Sequence, residues 1–208
     1  MKILFQGDSI TDVGRNSERG STLSIGQGYA MLVTSELGAK FPGKYTFENR
    51  GISGNRIVDI YARIKTDGWN LEPDVFSMLI GVNDVWHEIS TNNGVEADRF
   101  ENVYRMLIED TKKALPDIKF ILMEPFVLKA SATEENWETF RTEVAKRGTI
   151  VKKLCEEYKL TFVPLQEVFN NACESAPADY WLPDGVHPSP AGHRLIADKW
   201  LEAFENIK

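Results

Sequence analysis

The chain has 208 residues, 42% of them hydrophobic and 26% charged, an ordinary composition for a globular protein and enough chain for one domain whose core needs neither disulfides nor metal. The formal net charge is -7, which argues against a nucleic-acid backbone or an anionic membrane surface as partner. Two cysteines, Cys155 and Cys173, are too few for a disulfide framework, lack metal-ligand spacing, and are expected as free thiols in a reducing cytoplasm. The chain opens on Met-Lys and enters a strand directly, so no secretory signal is expected. No apolar run approaches the roughly 18 residues of a membrane-spanning helix.

Taken in order, strand-like and helix-like segments alternate. Residues 2–6 read as a short buried strand, and Gly7-Asp8-Ser9-Ile10-Thr11-Asp12 follow at once. A helical pattern covers 29–37, and 45–49 is a second strand. The segment 57–65 carries Ile57, Ile60, Tyr61 and Ile64 at helical spacing. Residues 75–80 form a nearly continuous apolar run, as expected of a strand covered on both faces. Residues 100–115 are helical up to the stop at Pro116. A fourth strand over 118–123, a long helix over 137–158, a short strand over 161–164 and a last helix over about 190–204 complete the pattern. Alternating strands and helices imply βαβ units. The expected fold is a three-layer α/β/α domain spanning 1–208, built on a flavodoxin-like parallel sheet of five strands in the order 2-1-3-4-5. Segments 12–28 and 87–98, rich in Gly, Ser, Asn and other polar residues, are the expected mobile pieces.

In an open parallel sheet, ligands sit outside the carboxyl ends of the strands. Ser9 follows the first strand, Gly54 the second and Asn83 the third, while Asp184 and His187 follow the fifth. Distant blocks of sequence therefore converge on one sheet edge. A serine hydroxyl needs a base, and a histidine with a reference pKa of about 6.5 can accept its proton. An aspartate three residues ahead of that histidine can hold the imidazole in the right tautomer. Ser9, His187 and Asp184 are thus the candidate nucleophile, base and orienting acid. The backbone N–H groups of Ser9 and Gly54 and the side-chain amide of Asn83 are candidate oxyanion donors. Asp8 and Asp84 are expected to brace their loops. His193 reads as a packing or capping residue.

Gly7-Asp8-Ser9, Gly51-Ile52-Ser53-Gly54-Asn55, Gly81-Val82-Asn83-Asp84 and Asp184-Gly185-Val186-His187-Pro188, in this order, resemble the four blocks of the GDSL or SGNH hydrolases over nearly the whole chain. The resemblance implies a Ser-His-Asp esterase with an oxyanion hole of Ser9, Gly54 and Asn83, and no cofactor. Continuations such as Val85-Trp86 and Ser189-Pro190-Ala191-Gly192-His193 look most like intracellular acetylxylan esterases and related carbohydrate deacetylases. That branch implies removal of acetyl groups from xylo-oligosaccharides in the cytoplasm. The expected partner is a small-molecule or oligosaccharide ester, with a homo-oligomer allowed.

Trp86 and Trp181 stand beside the candidate loops and could stack on a sugar ring or shorten an acyl pocket. His87 is a further candidate substrate contact. The rival enzyme readings are a lysophospholipase or a thioesterase of the same family. A flavodoxin-like phosphate binder is disfavoured because Asp8 and Asp12 would repel phosphate from the first loop. Residues 38–45 have the spacing of a phosphate loop but precede a strand, lack the Ser or Thr that binds magnesium, and read as a helix end and turn. No Gly-x-Ser-x-Gly elbow, His-Glu-x-x-His motif or cysteine cluster is present, so neither an ordinary α/β-hydrolase nor a metal site is expected.

Overall fold

A computed structural model describes residues 1–16 and 23–207. Five parallel strands form one sheet in the order β2-β1-β3-β4-β5: β1 (Lys2–Gly7), β2 (Thr46–Asn49), β3 (Val75–Leu79), β4 (Lys119–Met123) and β5 (Thr161–Val163). This is the expected order. The central strands are mostly apolar because both of their faces are covered, with Gln6 on β1 and Ser77 on β3 buried as exceptions. Ile3, Phe5, Val75, Leu79, Ile121 and Met123 point into one core layer. Leu4, Phe76, Met78, Phe120 and Leu122 point into the other.

Helices lie on both faces. On the first layer sit α2 (Tyr29–Lys40) and α9 (Pro190–Glu205), through Tyr29, Val33, Leu37, Ile196, Trp200 and Phe204. On the second sit α3 (Ile57–Asp67) and α5 (Ala97–Ala114), through Ile57, Ile60, Ile64, Phe100, Tyr104, Leu107 and Ile108. The long α6 (Trp137–Tyr158) serves both layers. Its first half buries Phe140 and Val144 against the first, its second half Val151 and Leu154 against the second.

Four short helices, α1 (Ser9–Asp12), α4 (Val82–Thr91), α7 (Gln166–Ala172) and α8 (Ala178–Trp181), occupy stretches in which the sequence pattern indicates no helix. The segment 87–98 is built in rather than loose. Its first five residues complete α4, Asn92 caps that helix in the left-handed region, and Val95 N–H returns to the Asp84 carbonyl. The Arg56 guanidinium adds bonds to the Asn93 carbonyl and side chain. Of the other segment expected to move, residues 17–22 lie outside the described residues. Residues 38–45 are the end of α2 followed by a turn with Gly43 at φ +76.

Trp200 is the largest fully buried side chain of the first layer. It is fully buried, stacks on Phe204 at 5.0 Å, tilts against Phe5 at 5.5 Å, and donates its indole N–H to Ser77 Oγ at 2.8 Å. Truncation would open a large cavity and orphan the buried Ser77 hydroxyl on the central strand β3. Trp200→Ala is therefore expected to destabilise the fold by about 3–5 kcal/mol. Denaturant unfolding checks this; a midpoint equal to that of the wild type would show that α9 is not held by this contact.

Candidate active site

The site lies at the carboxyl ends of the strands. Leaving the sheet, β1 passes through Gly7 and Asp8, and Ser9 opens α1. At Gly7 a side chain would collide with the Thr11 hydroxyl and the Leu79 carbonyl, so only glycine lets β1 turn here between its neighbours. The Asp8 carboxylate accepts Ile10 N–H at 3.0 Å and caps α1. Ser9 is thereby left half-buried with its hydroxyl toward the last turn of the chain.

That turn joins α8 to α9. Asp184 Oδ1 accepts the backbone N–H groups of Val186 at 2.9 Å and His187 at 2.7 Å, folding the turn on itself. Asp184 Oδ2 lies 2.6 Å from His187 Nδ1, and His187 Nε2 lies 2.8 Å from Ser9 Oγ. The three side chains form one continuous hydrogen-bonded chain. Burial alone would raise the Asp184 carboxyl. The His187 side chain and the two backbone N–H groups outweigh it and hold the carboxyl at about 2. The same Asp184 bond raises the His187 imidazole above its ordinary value, against the opposing effect of burial. An ionised Asp184 fixes the proton on Nδ1 and leaves the Nε2 lone pair facing Ser9.

Gly54 and Asn83 arrive from the next two strands. Gly54 has φ +82, and a Cβ there would meet open space. Glycine is favoured at this position by backbone conformation. Asn83 sits in the first turn of α4, 6% exposed, and spends one amide hydrogen on the Asn55 carbonyl at 3.1 Å. That bond ties Asn83 to the Gly54 loop and leaves its second amide hydrogen available.

The sequence assigns neither Asp12 nor Asn49 the role each has here, in a polar strut that joins the loops. Asp12 Oδ2, at the end of α1, accepts Ser53 N–H at 2.9 Å and Ser53 Oγ–H at 2.8 Å. Asn49 donates to the Thr11 and Ile25 carbonyls at 2.7 and 2.8 Å and accepts Gly51 N–H at 2.9 Å. Both side chains lock the Gly51–Gly54 stretch to the helix that carries Ser9.

Of the candidate substrate contacts, Trp86 is next to the triad. Its ring centroid is 5.9 Å from the His187 ring, and its far side rests edge-on against Phe140 at 5.8 Å. Trp181 closes α8. It contacts Tyr180 at 4.9 Å, accepts Ser189 N–H through its carbonyl, and packs beside the first core layer. His87 lies on α4, one residue beyond Trp86. Among the described residues, no group of three or more His, Cys, Asp or Glu side chains converges to hold a metal. No described helix is long and apolar enough to cross a membrane.

With this geometry in hand, comparison with known proteins places the chain. Fold and site together are those of a carboxylic ester hydrolase. The family model for the GDSL-like lipase/acylhydrolase family matches residues 5–195, and the chain belongs to that family. It is 35% identical to the acetylxylan esterase of Geobacillus stearothermophilus, an alignment covering 100% of this chain and 96% of the relative. The crystal structure of that organism's acetylxylan esterase Axe2 superposes with a TM-score of 0.86 at 35% identity, covering 97% of this chain and 93% of the other. Catalytic mutants of Axe2 include a serine-to-alanine and an aspartate-to-alanine change. A GDSL-like lipase from Parabacteroides merdae superposes with a TM-score of 0.91 at 40% identity, over 97% and 94% of the two chains.

Under the site lie two buried carboxyls and a buried histidine. Burial pushes Asp8 and Asp84 up to about 7, against the pull of the Ile10 and Ile57 N–H groups they accept. Burial also lowers His193 to about 4; neutral, it accepts Tyr29 N–H on Nδ1 at 3.2 Å. From pH 3.8 to about 7 the folded chain holds the Asp8 and Asp84 protons more tightly than the unfolded chain, so their contribution to stability falls as pH rises. His193 acts oppositely between about 4 and 6.5, but it is one group against two. Urea unfolding is therefore expected to give greater stability near pH 5.5 than near pH 7.5, and Asp84→Asn should flatten the slope. A wild-type profile that rises over this interval would refute the assignment.

Proposed function

We propose that this esterase removes acetyl groups from xylo-oligosaccharides or related carbohydrates, with Ser9 as nucleophile, His187 as general base and acid, and Asp184 as the group that orients His187. The observation that carries the proposal is the unbroken chain Ser9 Oγ, His187 Nε2, His187 Nδ1, Asp184 Oδ2, with links of 2.8 and 2.6 Å. Ser9 Oγ attacks the ester carbonyl carbon while His187 Nε2 takes the hydroxyl proton. The oxygen that becomes negative is met by the N–H groups of Ser9 and Gly54 and the free amide hydrogen of Asn83. Collapse returns the proton to the departing sugar oxygen and leaves an acyl-enzyme on Ser9. Water then repeats the sequence and releases the acid.

Preset donors serve best when they need not reorganise as charge develops, and the Asp12 and Asn49 bonds supply that rigidity. The Axe2 catalytic mutants, a serine and an aspartate each changed to alanine, support giving Ser9 and Asp184 these roles. Trp86 supports a short acyl group. Wedged between Phe140 and His187, it sets a wall beside the reacting carbon, and each methylene kept out forgoes about 0.8 kcal/mol of burial.

Ser9→Ala is expected to lose several powers of ten in turnover, since the members of a triad act as a unit. A fluorophosphonate probe should label Ser9 in the wild type. Labelling at another residue, or activity surviving in the alanine variant, would sink the assignment.

Substrate class is tested separately with a series of nitrophenyl esters beside acetylated xylo-oligosaccharides. Acetyl esters should be cleaved faster than octanoyl esters, and the oligosaccharides should release acetate. Trp86→Ala should narrow the preference between short and long chains. A wild type that prefers octanoyl esters would replace this reading with the lysophospholipase or thioesterase alternative.

A further inference from the structure

The turn carrying Asp184 and His187 belongs to no strand or helix. Its own bonds fold it, and Leu182 and Val186 bury it in the first core layer. The loop over residues 124–136, between β4 and α6, adds two backbone bonds to it. Leu128 N–H donates to the Gly185 carbonyl at 2.9 Å, and Ala132 N–H donates to the Asp184 carbonyl at 3.0 Å. The near end of this loop is pinned by Gln166, whose amide accepts Val127 N–H at 3.0 Å and donates to the Val127 carbonyl at 2.9 Å. The far end is closed by Thr133.

Thr133 is fully buried. Its hydroxyl donates to the Leu128 carbonyl at 2.6 Å and accepts Ala130 N–H at 3.0 Å. One hydroxyl thus cinches residues 128–133 into a compact ring, and the two N–H groups that hold the triad turn, those of Leu128 and Ala132, lie on that ring. The fit against the turn is close. Gly185 has φ +93, and a Cβ there would overlap the Thr133 hydroxyl and approach the Leu128 carbonyl to 2.5 Å.

We infer that Thr133 is a positioning residue for the reaction: through the 128–133 ring it sets the Asp184–His187 turn at the distance from Ser9 that proton transfer requires. It touches neither Ser9 nor His187. The inference rests on the triad reading given above. Without the hydroxyl, Leu128 and Ala130 each lose a buried partner, the ring relaxes, and Asp184 drifts relative to the imidazole. Two consequences follow that a merely structural role would not produce. Turnover falls without a change in substrate binding, because Trp86, the acyl wall, is carried by α4 and not by this turn. The imidazole, raised by its Asp184 bond, also loses part of that support and moves back toward its ordinary value.

The test compares wild type, Thr133→Val, Thr133→Ser and Ser9→Ala on a nitrophenyl acetate, with kcat and KM measured across pH and thermal unfolding followed in parallel. Thr133→Val keeps the shape and loses the hydroxyl. It is expected to lower kcat about tenfold with KM unchanged, and to move the acidic limb of the kcat profile to lower pH. Thr133→Ser keeps the hydroxyl and should restore both. In an Asp184→Asn background, Thr133→Val should cost little more, because Thr133 acts through Asp184. If the valine variant does not fold, Thr133→Cys, with its weaker S–H donor, is read in the same way. A lowered melting temperature with wild-type kcat and an unmoved acidic limb, while Ser9→Ala is inactive, overturns the inference and leaves the triad reading intact. Activity retained in Ser9→Ala removes the triad reading itself.

Discussion

The position of β1 at the inside of the sheet is the constraint from which the rest follows. It pairs with β2 on one side and β3 on the other, so its backbone is satisfied along its length and its side chains are buried on both faces. A strand so confined can change direction only where it leaves the sheet, and there it is crowded by the Leu79 carbonyl at the end of β3 and by the Thr11 side chain. Gly7 makes that exit sterically feasible. Asp8 starts a helix immediately, and Ser9 is delivered to the rim with almost no positional freedom. The second and third strands end beside it for the same topological reason, and Gly54 and Asn83 come within reach of one small volume.

The electrostatics are arranged in two depths. Near the surface, Asp184 is an ionised carboxylate supported by two backbone N–H groups and an imidazole. Deeper, burial pushes Asp8 and Asp84 up to about 7, and each is already spent on a helix N-terminus: Asp8 on α1, and Asp84 on Ile57 N–H at the start of α3. Below that pH both are protonated, and the negative field they place under the site is reduced. The acids flanking Ser9 and Asn83 in sequence are thus architectural, while the acid that holds the imidazole lies 176 residues beyond Asp8 and 100 beyond Asp84.

Much of this was legible in the sequence because it depends on local chemistry repeated at strand ends. The apolar run 75–80, the alternation of strands and helices, and the four blocks around Ser9, Gly54, Asn83 and His187 specify the sheet order and point to one edge. What escaped reading depends on contacts between distant segments. Gly81-Val82-Asn83-Asp84 carries no helical pattern, yet α4 begins there, with Val82, Asn83, Asp84 and Val85 all buried in its first turn. Thr133 sits in a stretch of ordinary loop residues, and nothing in its neighbours shows that residues 184 and 185 close over it. The Asp12–Ser53 and Asn49–Gly51 bonds link residues that only the fold brings together. Trp86 and Trp181 looked alike in the sequence; the first lies against His187 and the second beside α9.

The placement of Asn83 and Trp86 has a bearing on how such a protein can diverge. They stand three residues apart on α4 and so share one face of one short helix. A substitution that rolled or shifted α4 to enlarge the space over His187 would carry the Asn83 amide along with it. Variation in pocket size along this helix is therefore confined to exchanges at position 86 that leave the backbone still. Larger changes of substrate must be found on the connecting loops, which can lengthen or shorten without disturbing the strand ends.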